Sequence, residues 1–578
     1  MAFSPTSSPT APRRIVIVGG VAGGMSAAAR ARRLDEGAEI IVLEQSDYVS
    51  FANCGLPYHL SGEIEQRDAL LLHTPETLAA ALALDVRVGS RVTSIDRAAR
   101  TVSVATAEGT YDLGYDALLL ATGAVAVRPP IDGLDDAAVH SLRTIPDLDA
   151  LTVQVDELLA TRAEGQQPHA VVVGAGFIGL EAVEALAARG LRVELVELAD
   201  HVLPPLDPEL AALVGDELRT HGVGLHLGVA AKSIVPRPDG ARTVTLSDGT
   251  ALTADVVVVN VGVRPASDLA REAGLELGHQ GAVRVDDDQR TSDPHIWAVG
   301  DAVEVTQAVS GLAGPVPLAG PANRQGRRAA DTMLGHRTTP QAPVLGTAIV
   351  RVFGLTAAVT GPNQATLRRA GIDHEVVRVH PGHHAGYFPG TEQVHIVATF
   401  SPDGRLLGAQ AVGRAGVDKR IDVLATALRA GMSADDLAEL ELAYAPPYGS
   451  AKDPVNMLGF VAQNVLDGTM PQWHPDELDD VVAHSLVLDV RSRGEYERGH
   501  VEPSLNIPHT ELRERLDEVR EAAGERPVSL LCASGVRSHI ATRVLLAAGV
   551  DARNLSGGWL TLVAARPDVA ARTAVPAA

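Results

Sequence analysis

The residues of this 578-residue chain with the clearest capacity for chemistry are its two cysteines, Cys54 and Cys532. Cys54 lies in YVSFANCGLPYHLSG, outside any regular apolar pattern and ahead of a predicted helix. Cys532 follows the apolar strand VSLL and precedes a glycine-containing loop, and Arg537 follows it after four intervening residues. Thiolates are nucleophiles and sulfur carriers, and two cysteines in so long a chain are no disulfide framework. Both are therefore candidate catalytic residues.

Two segments that precede or follow these cysteines predict nucleotide-binding βαβ units. The first is RRIVIVGGVAGGMSAAARARRL followed by EIIVLE, with Val21 standing where the middle glycine of the usual string would be. A glycine turn lets the backbone approach a pyrophosphate, the helix N-terminus favours its charge, and the acid that ends the next strand can bind a ribose hydroxyl. The candidate residues are Gly19, Gly20, Ala22, Gly23, Gly24 and Glu44.

The second unit is HAVVVGAGFIGLEAVEALAARG followed by LRVELVE, which contains the full GxGxxG spacing. Two bound nucleotides are therefore expected. An acid at the end of its second strand should repel a 2′-phosphate, which predicts a preference for NADH over NADPH and leaves dual use open. The candidate residues are Gly174, Gly176, Phe177, Ile178, Gly179 and Glu197.

Two further segments extend this pattern. The sequence ATG at Ala121, Thr122 and Gly123 follows the strand ALLLA, and HIWAVGDAVE places Asp301 after a glycine at the end of another strand. Together with the two βαβ units, these segments resemble the two-dinucleotide flavoproteins. The resemblance implies that the first unit binds FAD, that the second binds NAD(P)H, and that Asp301 bonds the ribityl chain of the flavin.

In such a protein, two electrons should pass from the flavin to a third site, for which Cys54 is the candidate. Dithiol reductases of this kind need a second nearby cysteine, but the other cysteine of this chain lies in a separate module. The Cys54 thiolate must therefore cycle through a mixed disulfide or persulfide with its substrate, or through a sulfenic acid with oxygen species.

The segments GGVAGG, SFANCGLPY and LELAYAPPYGSAKDPVN make residues 13 to about 465 similar to the coenzyme A-disulfide reductase family of single-cysteine flavoproteins. The resemblance implies a homodimer in which tyrosines of the partner subunit reach the active site. The usual tandem tyrosine is interrupted by Phe388, so the catalytic hydroxyl is left open between Tyr387, Tyr444 and Tyr448. The resemblance also implies that coenzyme A binds at Ser26, Arg30, Arg33, Ser50 and Asn53, although a solvated basic helix face explains the arginines equally well.

The C-terminal segments SLVLDVRSRGEYERGHVEPSLNIPHTEL, PVSLLCASGVRSHIATRVLLAAGV and LSGGW resemble a rhodanese domain from Val481 to about Ala565. The resemblance implies that Cys532 carries sulfane sulfur and that Arg537 assists it. A helix is predicted to start near Ser538, so that the loop amides stabilise a thiolate or persulfide. A phosphatase-like loop would be one residue longer. Asp489 and Arg491 are expected to tie the loop, and His500 to pack within the domain.

The predicted fold class is α/β, with two Rossmann-like dinucleotide-binding domains, an α+β dimerisation domain and a C-terminal α/β rhodanese domain. The predicted order is a flexible tail at 1–12, an FAD-binding domain at 13–140 and 264–335, an NAD(P)H-binding domain at 141–263, a dimerisation domain at 336–466, a linker at 467–478 and a rhodanese domain at 479–578.

Composition excludes several classes of protein. Hydrophobic residues make up 46% and charged residues 21% of the chain, which is typical of a folded protein. A net charge of −23 without a Lys/Arg run argues against nucleic-acid partners, and no apolar run has the roughly 20 residues needed to span a membrane. The first residues lack signal-peptide features, which predicts a cytoplasmic protein, and the 20 histidines show no metal-ligand spacing.

These observations predict an enzyme that passes electrons from NAD(P)H through FAD to Cys54. The expected substrates are coenzyme A disulfide, coenzyme A persulfide or polysulfide, with Cys532 as the sulfane-sulfur carrier. Two alternatives stay open. One is an NADH oxidase or peroxidase that works through a Cys54 sulfenic acid, and the other is a sulfur-carrier or redox-sensing protein.

Overall fold

The computed structural model describes residues 12–161 and 166–569 of the chain. The predicted tail at 1–12 therefore lies outside the described residues except for its last position. The chain divides into two compact units, of which unit 1 contains the residues up to Val196 and Val229–Val344, and unit 2 contains Glu197–Gly228 and the residues from Leu345 onward. Within the described ranges, no helix combines the length and the apolar character that crossing a membrane requires.

The chain up to Glu197 contains helices at both ends and a run of consecutive strands, β3 to β9, between α3 and α4. Its elements are β1 (Arg14–Val18), α1 (Ala22–Leu34), β2 (Glu39–Leu43), a 3₁₀ turn (Asn53–Gly55), α2 (Leu56–Leu60), a 3₁₀ turn (Arg67–Leu70), α3 (Pro75–Leu82), β3 (Asp85–Arg87), β4 (Arg91–Asp96), β5 (Thr101–Thr106), β6 (Gly109–Gly114), β7 (Ala117–Leu120), β8 (Ala124–Ala126), β9 (Val139–His140), α4 (Ile145–Thr161), β10 (His169–Val173), α5 (Phe177–Ala188) and β11 (Arg192–Glu197).

The next segment begins in unit 2 and returns to unit 1. Its elements are α6 (Pro208–Thr220), β12 (Gly224–Leu227), β13 (Ala231–Pro236), β14 (Arg242–Leu246), β15 (Ala251–Ala254), β16 (Val256–Val259), β17 (Val263–Pro265), α7 (Asp268–Glu272), a 3₁₀ turn (His279–Gly281), β18 (Ile296–Ala298), a 3₁₀ turn (Gly300–Ala302), β19 (Val305–Thr306), β20 (Ala313–Gly314) and α8 (Ala319–Met333).

The remaining elements belong to unit 2. They are β21 (Ala348–Val352), β22 (Leu355–Thr360), α9 (Gln364–Ala370), β23 (Glu375–Val379), β24 (Val394–Phe400), β25 (Leu406–Gly413), α10 (Val417–Ala430), α11 (Ala434–Ala438), α12 (Pro454–Leu466), β26 (Gln472–Trp473), a 3₁₀ turn (Pro475–Glu477), α13 (Leu478–His484), β27 (Leu486–Asp489), α14 (Arg493–Glu497), β28 (Leu505–Asn506), a 3₁₀ turn (Leu512–Glu514), α15 (Leu516–Ala523), β29 (Val528–Leu531), α16 (Val536–Ala547), β30 (Ala552–Leu555) and α17 (Gly558–Ala565).

Unit 1 is built around two parallel sheets. The first has the strand order β18-β7-β1-β2-β3, and in the second β10 pairs with β11 and with β16, which pairs with β9. Their central strands are near-continuous runs of Val, Ile and Leu that are buried on both faces, as parallel strands covered by helices require. The antiparallel sheets β4-β5-β6 and β13-β14-β15 accompany them. In each parallel sheet a central strand is followed by a glycine turn and a helix, so the two nucleotide turns lie at the carboxyl ends of β1 and β10.

Unit 2 contains one antiparallel sheet, β21-β22-β25-β24-β23, and one parallel sheet, β26-β30-β29-β27-β28. The parallel sheet has α16 between β29 and β30, and this connection carries the Cys532 loop. The structure differs from the predicted linker at 467–478, because Trp473 is fully buried in β26 and its indole nitrogen donates to the carbonyl of Leu530 at 3.1 Å. The middle of that segment, Gln472–Trp473, is the edge strand of the last sheet, because one buried aromatic side chain outweighs the polar and proline-rich composition around it.

Candidate functional site

One cavity of about 1070 Å³ in unit 1 collects most of the residues predicted to bind FAD and coenzyme A. It opens where β1, β2 and β7 end, which is the edge at which ligands of parallel sheets bind. Gly20 and Gly24 are not among its lining residues. The predicted residues that line it are Gly19, Ala22, Gly23, Glu44, Ala121, Thr122, Gly123, Asp301, Ser26, Arg30, Arg33, Ser50, Asn53 and Cys54.

The turn after β1 fits a nucleotide that lies close to the backbone. Gly19 has φ +105°, and a Cβ atom there would lie 2.2 Å from the carbonyl oxygen of Ala121, so only glycine lets these two turns meet. The buried carboxylate of Glu44 accepts hydrogen bonds from the Gly20 amide at 2.8 Å and the Ser46 amide at 2.9 Å. The acid is thereby fixed at the end of β2, where a ribose hydroxyl of FAD would be bound.

Asp301 lies in the 3₁₀ turn after β18 and faces an arginine that the sequence did not point to. Nη2 of Arg143 is 3.5 Å from Oδ2 of Asp301, and Nε of Arg143 donates to the carbonyl of Ala124 at 2.8 Å. Burial raises the pKa of Asp301, and the charge of Arg143 opposes that rise. Arg143 precedes α4 as a lone basic residue, so no sequence signal marks it. Its guanidinium is the positive charge that the carboxylate of Asp301 faces.

Cys54 is positioned by the 3₁₀ turn Asn53–Gly55 at the start of α2, and its side chain is exposed to the cavity. Partial burial raises the pKa of its thiol, and the charges of Glu181 and Asp301 raise it further. Glu181 lies on α5, directly after the second glycine turn, and the hydroxyl of Tyr58 donates to it at 3.2 Å. The chain's own charges therefore favour the protonated thiol. Glu181 was missed by the sequence reasoning, although an acid just after GxGxxG was a visible signal.

Three of the five residues predicted to bind coenzyme A, namely Ser26, Arg30 and Arg33, share one side of α1 at helical spacing, whereas Ser50 and Asn53 lie at the turn before α2. Ser26 donates to the side-chain oxygen of Asn323 at 2.6 Å, and Arg30 forms an ion pair with Asp331 at 2.7 Å. Arg33 donates to the carbonyl of Ala29 and has no carboxylate partner in the described part of the chain. Its guanidinium therefore keeps its charge available to a phosphate at the cavity, whereas that of Arg30 is already neutralised.

The second nucleotide turn follows β10 with the same geometry as the first. Gly174 has φ +103°, and a Cβ atom at Gly179 would lie 1.9 Å from the Gly174 carbonyl, so α5 starts tightly against the turn. Gly176 caps α5, and Phe177 and Ile178 form its first turn. Glu197 ends β11, and its carboxylate accepts from the Ala199 amide at 2.9 Å.

The structure brings two of the three candidate tyrosines of unit 2 together. The hydroxyls of Tyr387 and Tyr444 are 3.0 Å apart, and this hydrogen bond raises the pKa of Tyr387. The hydroxyl of Tyr448 is exposed and has no partner among residues 12–161 and 166–569. Phe388 packs edge-on against His384 instead, with ring centroids 5.5 Å apart. Tyr387 and Tyr444 thus form a hydrogen-bonded pair of hydroxyls, which Tyr448 does not join.

Cys532 is buried at the carboxyl end of β29, and its sulfur accepts a hydrogen bond from Ser538 Oγ at 3.2 Å. The helix that follows begins at Val536, two residues earlier than Ser538, so that Ser538 lies in its first turn. Trp559 donates its amide to the carbonyl of Cys532 at 2.7 Å. A Cβ atom at Gly558 would lie only 2.6 Å from that carbonyl. The start of α17 therefore forms the back wall of the Cys532 loop.

The last sheet also explains the charged residues near Cys532. Arg537 forms a bidentate ion pair with Glu495, with distances of 2.8 and 2.7 Å, and its guanidinium hydrogen bonds lower the pKa of Glu495 to about 2. Asp489 and Arg491 form a buried pair at 2.6 Å, and the Arg491 guanidinium lies 4.4 Å from the centroid of Trp559. The latter pair ties the wall of the loop. Glu495 was not predicted.

His500 stacks on Tyr496 with ring centroids 3.9 Å apart, in the connection between β27 and β28 of the sheet that carries the Cys532 loop. Across the described ranges, no three His, Cys, Asp or Glu side chains come together in a way that could hold a metal ion.

Comparison with known proteins divides the chain into three matched segments. Residues 13–326 match the family described as pyridine nucleotide-disulphide oxidoreductase, and residues 347–454 match the dimerisation domain of that family. Residues 470–565 match the rhodanese-like domain. The predicted fold class is confirmed by these matches.

Individual relatives cover the same regions. A coenzyme A disulfide reductase of Staphylococcus haemolyticus is 36% identical over 456 residues, which are 78% of this chain and 100% of the relative. The crystal structure of reduced Bacillus anthracis CoADR-RHD has a TM-score of 0.92 and 42% identity, and covers 96% of this chain and 99% of its own. A NAD-dependent persulfide reductase from A. fulgidus has a TM-score of 0.88 and 38% identity, covering 95% of this chain and 99% of its own.

Proposed function

The chain belongs to the pyridine nucleotide-disulphide oxidoreductase family, and on that premise we propose that it reduces coenzyme A disulfide, coenzyme A persulfide or polysulfide at Cys54. The enzyme class predicted from the sequence, an FAD-dependent oxidoreductase that uses NAD(P)H, is confirmed by this membership. The choice of acceptor and the role of each site residue are our proposal. The relatives named as coenzyme A disulfide reductase and persulfide reductase support it.

The observation that carries the proposal is the setting of Cys54. Its thiol shares one cavity with the flavin-type turn and with Arg33, whose charge has no carboxylate partner in the part of the chain described. The second cysteine is buried in the last sheet of unit 2 and is held by that sheet's own loop. A lone redox thiol that shares its cavity with an arginine free of carboxylate partners in the described ranges suits a substrate that brings its own sulfur and its own phosphates.

The proposed reaction balances with the chain's thiol as nucleophile. The Cys54 thiolate attacks the sulfur–sulfur bond of the substrate, one sulfur bonds to Cys54, and the other leaves as a thiolate that takes up a proton. FAD, when bound, supplies the two electrons of NAD(P)H that restore the Cys54 thiolate. For coenzyme A disulfide the products are two coenzyme A thiols and NAD(P)⁺. For coenzyme A persulfide they are coenzyme A, hydrogen sulfide and NAD(P)⁺.

Other residues bind and protonate in this scheme. Asp301 and Glu44 hold hydroxyls of FAD, and Ser26, Arg33 and Asn53 hold coenzyme A. The hydrogen-bonded Tyr387 and Tyr444 pair of the partner subunit in a homodimer protonates the leaving thiolate, because a phenol, whose ordinary pKa is about 10, carries its proton at neutral pH.

We propose two further features of the same scheme. Glu197 gives a preference for NADH because its carboxylate repels a 2′-phosphate. Cys532 accepts sulfane sulfur from a persulfide and hands it to a thiol such as coenzyme A by thiolate exchange. These roles assign the NAD(P)H domain to 141–263 and the sulfur carrier to the domain that follows residue 470.

The test is an anaerobic NADH titration with four acceptors offered in turn: coenzyme A disulfide, coenzyme A persulfide, polysulfide and oxygen. We expect rapid NADH oxidation with a sulfur acceptor and a loss of at least about 10³-fold in kcat in Cys54→Ser, because the covalent step is removed. Oxygen consumption far above disulfide or polysulfide reduction would instead favour the oxidase alternative. Steady rates far below about 1 s⁻¹ with every acceptor would favour a sensor.

A further inference from the structure

The positive charge near Cys532 is already neutralised by a carboxylate of the protein. Arg537 lies in the first turn of the helix that follows the Cys532 loop, where its charge interacts with Cys532, and both of its terminal nitrogens are bonded to Glu495. The bidentate ion pair occupies the two N–H groups with which a guanidinium would otherwise bind an oxyanion. A second arginine near the loop, Arg491, is paired with the fully buried Asp489. Neither arginine offers an unmatched positive charge to a substrate.

Glu495 is held in place from two sides. Its carboxylate also accepts from the amide and hydroxyl of Ser492 at 3.0 and 2.8 Å, which closes the N-terminus of α14. The hydrogen bonds from Arg537 and Ser492 lower its pKa to about 2, so the carboxylate is ionised throughout the pH range in which the protein would work. Glu495 therefore neutralises the charge of Arg537 throughout that pH range.

Two apolar residues close to Arg537 on α16 are exposed to solvent. Val536 and Ile540 stand one helical turn apart on α16, beside Arg537, and their side chains are 58% and 44% exposed. Exposed apolar side chains next to a buried nucleophile suit a donor with an organic body, and they give nothing to a small hydrated oxyanion.

We propose that Glu495 sets the donor specificity of the Cys532 site, which takes sulfur from organic persulfides and discriminates against thiosulfate. This inference rests on the proposed role of Cys532 as a sulfur carrier and names the class of donor for it. Glu495 disfavours thiosulfate because its fixed carboxylate cancels the positive charge of Arg537 that would otherwise bind this dianion.

The two loading reactions differ in the charge that the site must hold. With an organic persulfide anion, RSS⁻, the Cys532 thiolate attacks the outer sulfur, the sulfur–sulfur bond breaks and an organic thiolate leaves, so two negative charges are shared by the reacting atoms. With thiosulfate, the same attack expels sulfite and three negative charges are shared. Both reactions leave a persulfide on Cys532, and neither needs a reductant. The extra charge of the second reaction is the one that an unmasked Arg537 would stabilise.

The experiment measures the loading of Cys532 directly. In the full-length, FAD-loaded Cys54→Ser protein, Cys532 is the remaining cysteine, and its gain of one sulfur atom is followed by quenching and intact-protein mass spectrometry. The donors are glutathione persulfide and thiosulfate. In Glu495→Gln, which keeps the side-chain size and an oxygen for Ser492, we expect the ratio of thiosulfate to persulfide loading rates to rise by about tenfold or more.

Two control variants separate charge from structure. Ser492→Ala removes the helix cap but leaves the ion pair, and Glu511→Gln removes an equal charge from Arg493 and Arg515 elsewhere in the same domain. Both should keep the parental ratio. The double variant Glu495→Gln/Arg537→Gln should also return to the parental ratio, because the ion pair is then removed as a unit.

Each result decides a different point. An unchanged ratio in Glu495→Gln, or an equal fall with both donors, would overturn the inference, and so would a selective loss of thiosulfate loading in the double variant. If neither donor loads the Cys54→Ser parent, the carrier role of Cys532 fails instead. The double variant also tests the inference if Glu495→Gln alone does not fold.

Discussion

The two cysteine sites of this chain are built in opposite ways. Cys54 is exposed to a wide cavity, and the nearby carboxylates of Glu181 and Asp301 raise the pKa of its thiol. Cys532 is buried, and its hydrogen bond, its loop and its back wall come from β29, α16 and α17 of one sheet. The Cys54 site needs groups from outside its own turn in order to react, whereas the surroundings of Cys532 are supplied by neighbouring elements of its own domain.

This difference indicates a division of labour. A redox thiol has to meet a cofactor, a large substrate and a proton donor in turn, which requires an open site. A thiol that stays protonated until these groups bind is compatible with such a reaction. A sulfur carrier has to protect a persulfide between two exchanges, and a buried loop serves that purpose. If the two cysteine sites work separately, a mutation that inactivates one of them should leave the activity of the other unchanged.

The largest expected effect comes from Cys532→Ala. We expect complete loss of sulfur loading from glutathione persulfide, while NADH-dependent reduction of coenzyme A disulfide stays within about twofold of the parent, because Cys54 alone carries that reaction. Both activities are measured on the same preparation. A parallel loss of disulfide reduction would show that the two sites form one catalytic unit, and the comparison would be broken.

A smaller effect is expected from Gly558→Ala, which tests the back wall of the Cys532 loop. Gly558 has φ +66°, and an added Cβ atom would meet three backbone atoms of the loop within 2.8 Å. Loading of Cys532 should fall by about tenfold or more as the loop shifts. The matched control is Gly549→Ala in the same domain, where φ is +76° and nothing lies within 4 Å of the added atom.

The control isolates the collision from the backbone strain. Both alanines incur the penalty of a left-handed conformation, which is about 1–2 kcal/mol, so the thermal stability of both variants should decrease. Only Gly558→Ala should also lose loading. Equal loading in the two variants would mean that the start of α17 does not shape the Cys532 site.

Whether a feature of the fold or of the sites could be predicted from the sequence depends on how far apart in the chain the interacting residues lie. The two glycine turns, Cys54 and Cys532 lie in short local patterns that require particular residue types, so they were predicted by number. Arg143 and Glu495 act on residues 158 and 42 positions away, and no local pattern specifies such pairs. The buried Trp473 lies in a polar, proline-rich segment whose composition predicts a linker, and only the packing of the last sheet overrides that signal.

The smallest expected effect concerns the unfavourable resting state of the Cys54 thiol. Glu181 and Asp301 raise the pKa of Cys54 because a thiolate beside a carboxylate is repelled. Glu181→Gln removes one of these charges, so the pKa should fall and the thiolate should appear at lower pH. In a Cys532→Ala background, the rate of iodoacetamide alkylation plotted against pH should shift to lower pH by about half a unit to one unit.

The control for this shift is Tyr58→Phe, which removes the hydrogen bond to Glu181 but leaves its charge. Without that bond the carboxylate keeps its repulsion, so the alkylation profile should stay near that of the parent or move slightly to higher pH. Partial burial of Cys54 is unchanged in both variants and keeps the pKa above its ordinary value. A profile that does not move in Glu181→Gln would mean that burial alone sets the reactivity of Cys54. The contrast between the two sites would then rest on exposure and not on charge.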